Sequence, residues 1–229
     1  MQKRAVFFSF SLLTVVWMLS LLAGCAWFEP KKEKSEEELA SEGMRCFDKK
    51  DYKDAIESFG KLKDWYPFSK FAILAELKTA DSHYYLQEYA EAIAGYEEFE
   101  NLHPRNEAVP YVIYQIGQCY FEQTDTIDRD QTSARKALDT FSRLIRDFPD
   151  DVYAGKAAEP VRKCKKNLAE HELYVGRFYY KSRQYKAALK RFENVLSIIA
   201  DDAPDRESRE IRQNAQKYIS DCKKAGAAE

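Results

Sequence analysis

The sequence is short of helix breakers: its 229 residues include only 8 Gly and 7 Pro. An all-β fold needs turn residues roughly every 8–12 positions between alternating strands, and this chain supplies neither. Histidine is scarce as well. His83, His103 and His171 are the 3 present, and none stands at metal-ligand spacing from another. Neither sign of charge prevails, with 36 Lys and Arg against 38 Asp and Glu. No surplus of cations is therefore available to neutralise a nucleic-acid backbone. Glycine-rich phosphate loops, nucleophile elbows and Cys/His pairs are missing too. No catalytic residue, metal ligand or cofactor is expected, and the chain reads as a binding protein rather than an enzyme. With 14 Phe and 15 Tyr to pack, it also reads as folded rather than disordered.

Long apolar runs are absent but for one. Lys3 and Arg4 precede an uncharged stretch from Ala5 to Ala23, which ends at Ala23-Gly24-Cys25. A positive start, an apolar middle and small residues at the end are the plan of a signal peptide; a spanning anchor is the alternative. The small residues before a cysteine resemble the lipobox of bacterial lipoproteins. That resemblance implies a signal peptide over 1–24, cleavage before Cys25 and acylation of Cys25. Ala26, rather than Asp, implies sorting to the outer membrane. Residues 25–35 then read as a lipidated tether, 36–226 as the folded domain and 227–229 as a tail. Cys46, Cys119, Cys164 and Cys222 fall within helical patterns, which favours buried small hydrophobes over bridges in a compartment that permits either.

The rest of the chain repeats. An Ala, an aliphatic residue and an aromatic recur as Ala55-Ile56-Phe59, Ala92-Ile93-Tyr96, Ala137-Leu138-Phe141 and Ala188-Leu189-Phe192. Twelve residues after the Ala stand Pro67, Pro104 and Pro149, each behind an aromatic ring: Tyr66, His103, Phe148. A small residue recurs upstream at Gly43, Ala80, Gly117 and Gly176, with an aromatic four places on. Small residues let helices approach, rings fill the layer between them, and Pro ends the second helix. These fixed offsets define tetratricopeptide-like repeats. The fold class is all-α: a superhelix of antiparallel helix pairs, in four hairpins, with Glu207 to Lys224 as a capping helix. Tyr52, Tyr84, Tyr89, Phe59, Tyr96 and Phe141 are assigned to the core.

Two departures break the period. Gly117 to Ala134 spans 17 residues where the small residue otherwise precedes the start of the next helix by nine. The insertion, Glu122 to Gln131, is a polar loop, either solvated or a partner contact. Pro149 to Gly176 spans 27 where the other copies have 13, so one helix should run from Val152 to Lys181. Its overhang should dock sideways or project, and Arg162, Lys163, Lys165 and Lys166 give it a basic section. Lys181, Arg183, Lys186, Lys190 and Arg191 make a second, denser one.

Tyr66-Pro67-Phe68, Asp128-Arg129-Asp130, Phe141-Ser142-Arg143-Leu144, Phe148-Pro149, Tyr153, and Val175, Tyr179, Tyr180, Arg183 and Arg191, together with both departures, resemble the BamD family. Its members are repeat lipoproteins of the outer-membrane β-barrel assembly machinery. The resemblance implies a lipid-anchored protein on the periplasmic face of the outer membrane. It implies contact between the C-terminal repeats and a POTRA domain of a BamA-like barrel protein, with Arg183, Arg191, Lys186 and Lys190 as binding candidates. It implies that unfolded outer-membrane proteins meet the N-terminal repeats, with Tyr66, Phe68 and Tyr85 as groove candidates. Other assembly lipoproteins are implied as partners. A second helix in the last repeat is also a family feature, and the sequence to Glu229 leaves no room for it. The rival reading is an envelope lipoprotein with the same repeats that coordinates peptidoglycan or other envelope processes.

Overall fold

A computed structural model describes residues 33–200 and 205–226. Residues 1–24, Cys25, most of the tether and 227–229 lie outside the described residues. Among the described residues there are nine α-helices and no strand. Four pairs form hairpins: α1 (Glu36–Asp48) with α2 (Tyr52–Trp65), α3 (Ala72–Tyr85) with α4 (Tyr89–Leu102), α5 (Val109–Glu122) with α6 (Thr132–Asp147), and α7 (Val152–Lys181) with α8 (Tyr185–Ile198). The ninth, α9 (Arg206–Gly226), packs on the last pair. The fold is the all-α tetratricopeptide superhelix that the offsets specify.

The repeated small residue has a concrete cause. A Cβ placed on Gly43 would lie 2.5 Å from a ring carbon of Phe59; on Gly117 it would lie 2.5 Å from Phe141, and on Gly176, 2.6 Å from Phe192. Each phenyl ring, fully buried, rests on bare backbone of the preceding helix. Hairpin 2 solves the same problem in reverse: Ala80 keeps its methyl, and Gly95 on α4 approaches it, where a Cβ would come within 3.1 Å. Its ring, Tyr96, turns its hydroxyl to the buried carboxylate of Asp81. Around each ring lies a separate core cluster, and Tyr218 of α9 closes the last one by stacking on Phe192 at 4.8 Å. Tyr52, Tyr84 and Tyr89, assigned to the core from sequence, are only half-buried. They sit where α1–α2 and α3–α4 turn, and ring edges reach solvent there.

The turns repeat too. Lys50, Gln87 and Arg183 adopt φ of 65°, 61° and 56°. In each case the following N–H reaches back five residues, as from Asp51 to Cys46, Glu88 to His83 and Gln184 to Tyr179. This is the left-handed helix stop, built here without glycine. Hairpin 3 lacks it because its insertion occupies the place.

The long helix is 30 residues, about 45 Å. Its overhang does not project. Ala154, Ala157 and Cys164 of its first half belong to the core around Phe141, while Ala169 and Leu173 belong to the core around Phe192. One helix thus closes hairpin 3 and opens hairpin 4. Pro160 lies inside it, in the third turn, and Asp151 caps its start by accepting from the Tyr153 N–H at 2.7 Å.

Two glycine substitutions separate contact from propensity. Gly117→Ala should lose about 1–3 kcal/mol, because the added methyl would lie 2.5 Å from the fully buried Phe141 ring, which must shift. Gly155→Ala, with nothing within 4 Å of the added methyl, should gain about 0.5–1 kcal/mol from helix propensity. Urea unfolding followed by circular dichroism reads both; equal effects would sink the contact explanation.

Candidate partner-binding surfaces

The dense cation group of hairpin 4 divides in the structure. Lys181, Arg183, Lys186 and Lys190 are all exposed, around the α7–α8 turn and the first turns of α8. Arg183 sits at the left-handed turn itself, so its direction is fixed by backbone. Arg183 and Lys186 also line a cleft of about 530 Å³ that reaches Gly226 at the end of α9. Arg191 is different. Its Nη1 donates to both oxygens of Glu172 at 3.2 and 3.3 Å. Asn194 donates to the same carboxylate at 2.9 Å, and Arg135 of α6 lies 4.0 Å from it. Glu172 is buried, and a buried carboxylate holds its place only with such partners. Sequence reasoning missed Glu172, since it reads as one more solvated glutamate on a helix.

The other basic section, on α7, is largely neutralised, with Lys165 exposed and outside its ion pairs. Arg162 pairs with Glu159 at 2.7 Å and lies 3.7 Å from Asp205, Lys163 is 3.8 Å from Glu159, and Lys166 is 2.5 Å from Glu207. The expectation of a positive surplus on the long helix is corrected: α9 and α7 itself carry the neutralising carboxylates. Among the described residues, the exposed cations Lys181, Arg183, Lys186 and Lys190 of hairpin 4 make no ion pair.

The three groove candidates do not come together. Tyr85 stacks on Tyr52 at 4.9 Å, with an interplanar angle of 12°, and meets the edge of Phe47 at 5.9 Å. Lys78 Nζ lies 4.5 Å from the centroid of Phe47. This ring cluster stands where α1 and α3 end. Tyr66 and Phe68 stand where α2 ends and α3 begins, the opposite edge of the stack. Tyr66 packs against the first core cluster, whereas Phe68 is 100% exposed. Antiparallel pairing alone could have separated them, because Tyr66 follows a second helix and Tyr85 ends a first.

Two polar arrangements brace these surfaces. Asp81, 1% exposed, accepts from the hydroxyls of Tyr96 and Tyr111, each at 2.7 Å, and from Lys78 at 2.8 Å. Burial, then the neighbouring Asp81 charge, drives both phenols far above the usual tyrosine range, so they remain donors. The insertion loop is neither loose nor free. His171 Nδ1 donates to the carbonyl of Ile127 at 2.7 Å and Asn167 to that of Asp125 at 3.2 Å. Within the loop, the Gln131 amide donates to the carbonyls of Thr126 and Arg129 at 2.9 and 3.0 Å. The insertion is thereby fastened to the long helix, so the two departures from the repeat period form one structural unit.

The other two histidines serve the repeats, His83 beside Glu88 and His103 beside Glu76, each at 2.7 Å. Among the described residues, no group of three or more His, Cys, Asp or Glu is placed to hold a metal ion. Among them, too, no helix is long and apolar enough to cross a membrane. Cys46, Cys119, Cys164 and Cys222 are free thiols.

These features define a tetratricopeptide-repeat scaffold. Residues 32–228 match the family model described as YfiO, outer membrane lipoprotein, and the chain belongs to that family. Curated relatives carry the name outer membrane protein assembly factor BamD. The protein of Rickettsia prowazekii is 32% identical over 81% of this chain and 75% of its own length. That of Caulobacter vibrioides is 31% identical over 80% of this chain, and the match spans 62% of the relative. The protein of Vibrio cholerae is 26% identical over 88% of each. Among solved structures, the MamA protein is similar with a TM-score of 0.42 and 17% identity, over 83% of this chain and 91% of that one.

The thiols give a direct check on packing. Burial pushes Cys119 up to about 12 and Cys164 to about 11, and raises Cys222. A higher thiol pKa means less thiolate at neutral pH. In the native protein, a thiol reagent at pH 8 should modify Cys46 before Cys119, Cys164 and Cys222, which should react only with urea. Equal rates at all four would contradict the packing.

Proposed function

We propose that this protein is an outer-membrane protein assembly factor, held by lipid on Cys25 at the periplasmic face. Its C-terminal repeats scaffold a BamA-like barrel protein, and its N-terminal repeats receive unfolded outer-membrane proteins. Other assembly lipoproteins would share the scaffold. The observation that carries the reading is the exposed cation group of hairpin 4 in a chain of this family. Among the described residues, Arg183, Lys186 and Lys190 present charge without a carboxylate partner, which suits an acidic patch on a POTRA domain. Arg191 contributes from a pinned position, through the part of its guanidinium not used by Glu172. The Tyr85, Tyr52 and Phe47 ring cluster offers flat apolar surface for aromatic side chains of an extended substrate.

The left-handed turn supplies a clean test. Arg183→Gly removes the charge at a position that glycine prefers, so stability should stay within about 1 kcal/mol of the parent. Co-purification with the POTRA-bearing barrel protein should nevertheless fall, and fall further with Lys186→Glu. Undiminished co-purification of the double variant would remove hairpin 4 as the docking face. The anchor is tested separately. Cys25→Ala should move the protein from the membrane pellet to the soluble fraction, and continued sedimentation would count against lipidation.

A further inference from the structure

The exposed hydrophobics of this stack are not scattered. Among the described residues, nine large apolar or aromatic side chains are exposed: Trp65, Phe68, Ile73, Leu74, Tyr85, Leu102, Val152, Tyr174 and Phe178. In an antiparallel stack every first helix starts on one edge, the edge on which every second helix ends. Contacts across it show which residues meet there: His103, after α4, touches Glu76 at the start of α3, and Tyr111 of α5 meets Tyr153 of α7 at 5.3 Å. Trp65, Phe68, Ile73, Leu74, Leu102 and Val152 all belong to that edge. The first four crowd the single corner between α2 and α3.

That corner has no structural need of them. Its backbone is closed by hydrogen bonds from Ser69 N to Tyr66 O and from Ala72 N to Ser69 O, at 2.9 and 3.0 Å, and Ser69 Oγ accepts from Phe71 N at 3.1 Å. The corresponding corners after Pro104 and Pro149 repeat this path with Arg105 and Asp150 where Phe68 stands. A polar residue therefore satisfies the geometry, and the wholly exposed phenyl ring on a fixed turn serves something outside the chain. Lone surface hydrophobics need no explanation, but a contiguous patch does.

Chain connectivity points to the occupant. The first helix, α1, begins on this same edge at Glu36. Between Cys25 and Glu36 lie only the residues of the tether, which reach at most ~40 Å when extended and about 20 Å as a flexible coil. We propose that the α2–α3 corner is a second membrane contact, in which Phe68, Ile73 and Leu74 enter the headgroup region of the anchoring leaflet and Trp65 lies at its interface. This rests on the lipid-anchor reading above. Tryptophan with aliphatic neighbours suits such an interface. Lys70, held 4.9 Å from the Phe71 centroid, keeps its ammonium beside the wedge and within reach of lipid phosphates. Glu36, Glu37 and Glu38 open α1 nearby, so a strongly anionic surface is not what this edge fits. The partner is a zwitterionic phosphatidylethanolamine surface, engaged through apolar burial and little affected by salt. An anchor combined with a wedge fixes the orientation of the stack beneath the membrane, which a single point of attachment cannot do.

The test uses the acylated protein reconstituted in phosphatidylethanolamine-rich vesicles carrying brominated acyl chains. After signal removal Trp27 and Trp65 are the tryptophans left, so a Trp27→Phe variant makes Trp65 the reporter. Its emission should shift to shorter wavelength and be quenched, equally at low and high salt. Phe68→Asp, at a side chain that touches no core, should abolish the quenching while leaving the circular dichroism unchanged. Quenching that survives Phe68→Asp, or none at all in the acylated parent, overturns the proposal. A Trp65 that ignores brominated lipid but responds to an unfolded outer-membrane protein peptide assigns the patch to polypeptide instead, and also overturns it. Intact mass separates the two failures: a chain without acyl groups removes the anchor reading and this contact together, whereas an acylated chain with a silent Trp65 removes only the contact.

Discussion

Everything in this stack depends on a phenyl ring lying against bare helix backbone. Phe59, Phe141 and Phe192 each press on a glycine in the preceding helix, at distances no Cβ would tolerate. The contact sets how closely a hairpin closes and excludes water from each core cluster. It also gives the next helix a defined face to stack on. A ring of this size buries 150–250 Å², so each contact contributes a large share of its hairpin's apolar burial. Hairpin 2 shows that the requirement is steric rather than chemical, since exchanging small and large between Ala80, Gly95 and Tyr96 preserves the close approach.

The legible part of the molecule follows from this. Rings, small residues and terminating prolines recur at fixed offsets because one contact is built four times, and a repeat can be read without a structure. The interrupted period was equally legible, and it located both the insertion and the helix from Val152 to Lys181. Buried charge was not. Asp81 and Glu172 sit in sequence as any helix-surface carboxylate would, and their partners lie 15 to 30 residues away in Tyr96 and Tyr111, or across α6, α7 and α8. Charge on α7 was misread for the same reason. Arg162 and Lys166 look like a basic stripe until α9 folds back to place Asp205 and Glu207 beside them. The role of α9 as a cap was visible in its apolar face; its role as a neutraliser was not.

The candidate surfaces were half legible. Lys186 and Lys190 are exposed as the helical pattern requires, but Arg191, the next residue, turns inward to Glu172. A helix of 3.6 residues per turn rotates adjacent side chains by about 100°, enough to move one cation from solvent to a buried carboxylate. The aromatic candidates separated for a topological reason, with Tyr85 on one edge and Phe68 on the other. Repeat scaffolds thus carry distinct chemistries on opposite rims. Here a ring cluster and left-handed turns occupy one rim, and an apolar corner on the edge where α1 begins occupies the other.

The long helix has a mechanical meaning. A stack of hairpins bends at its turns, where a few unbonded dihedrals join otherwise stiff rods. Hairpins 3 and 4 meet at the turn after Pro149 like the others, but α7 also runs through both of their cores, and the insertion loop is tied to it by Asn167 and His171. The shared helix therefore ties hairpins 3 and 4 together in a way no other pair of neighbouring hairpins is tied. Hairpins 3 and 4 are thus built around one continuous rod, whereas hairpins 1, 2 and 3 meet only through separate helices across the corners at Pro67 and Pro104.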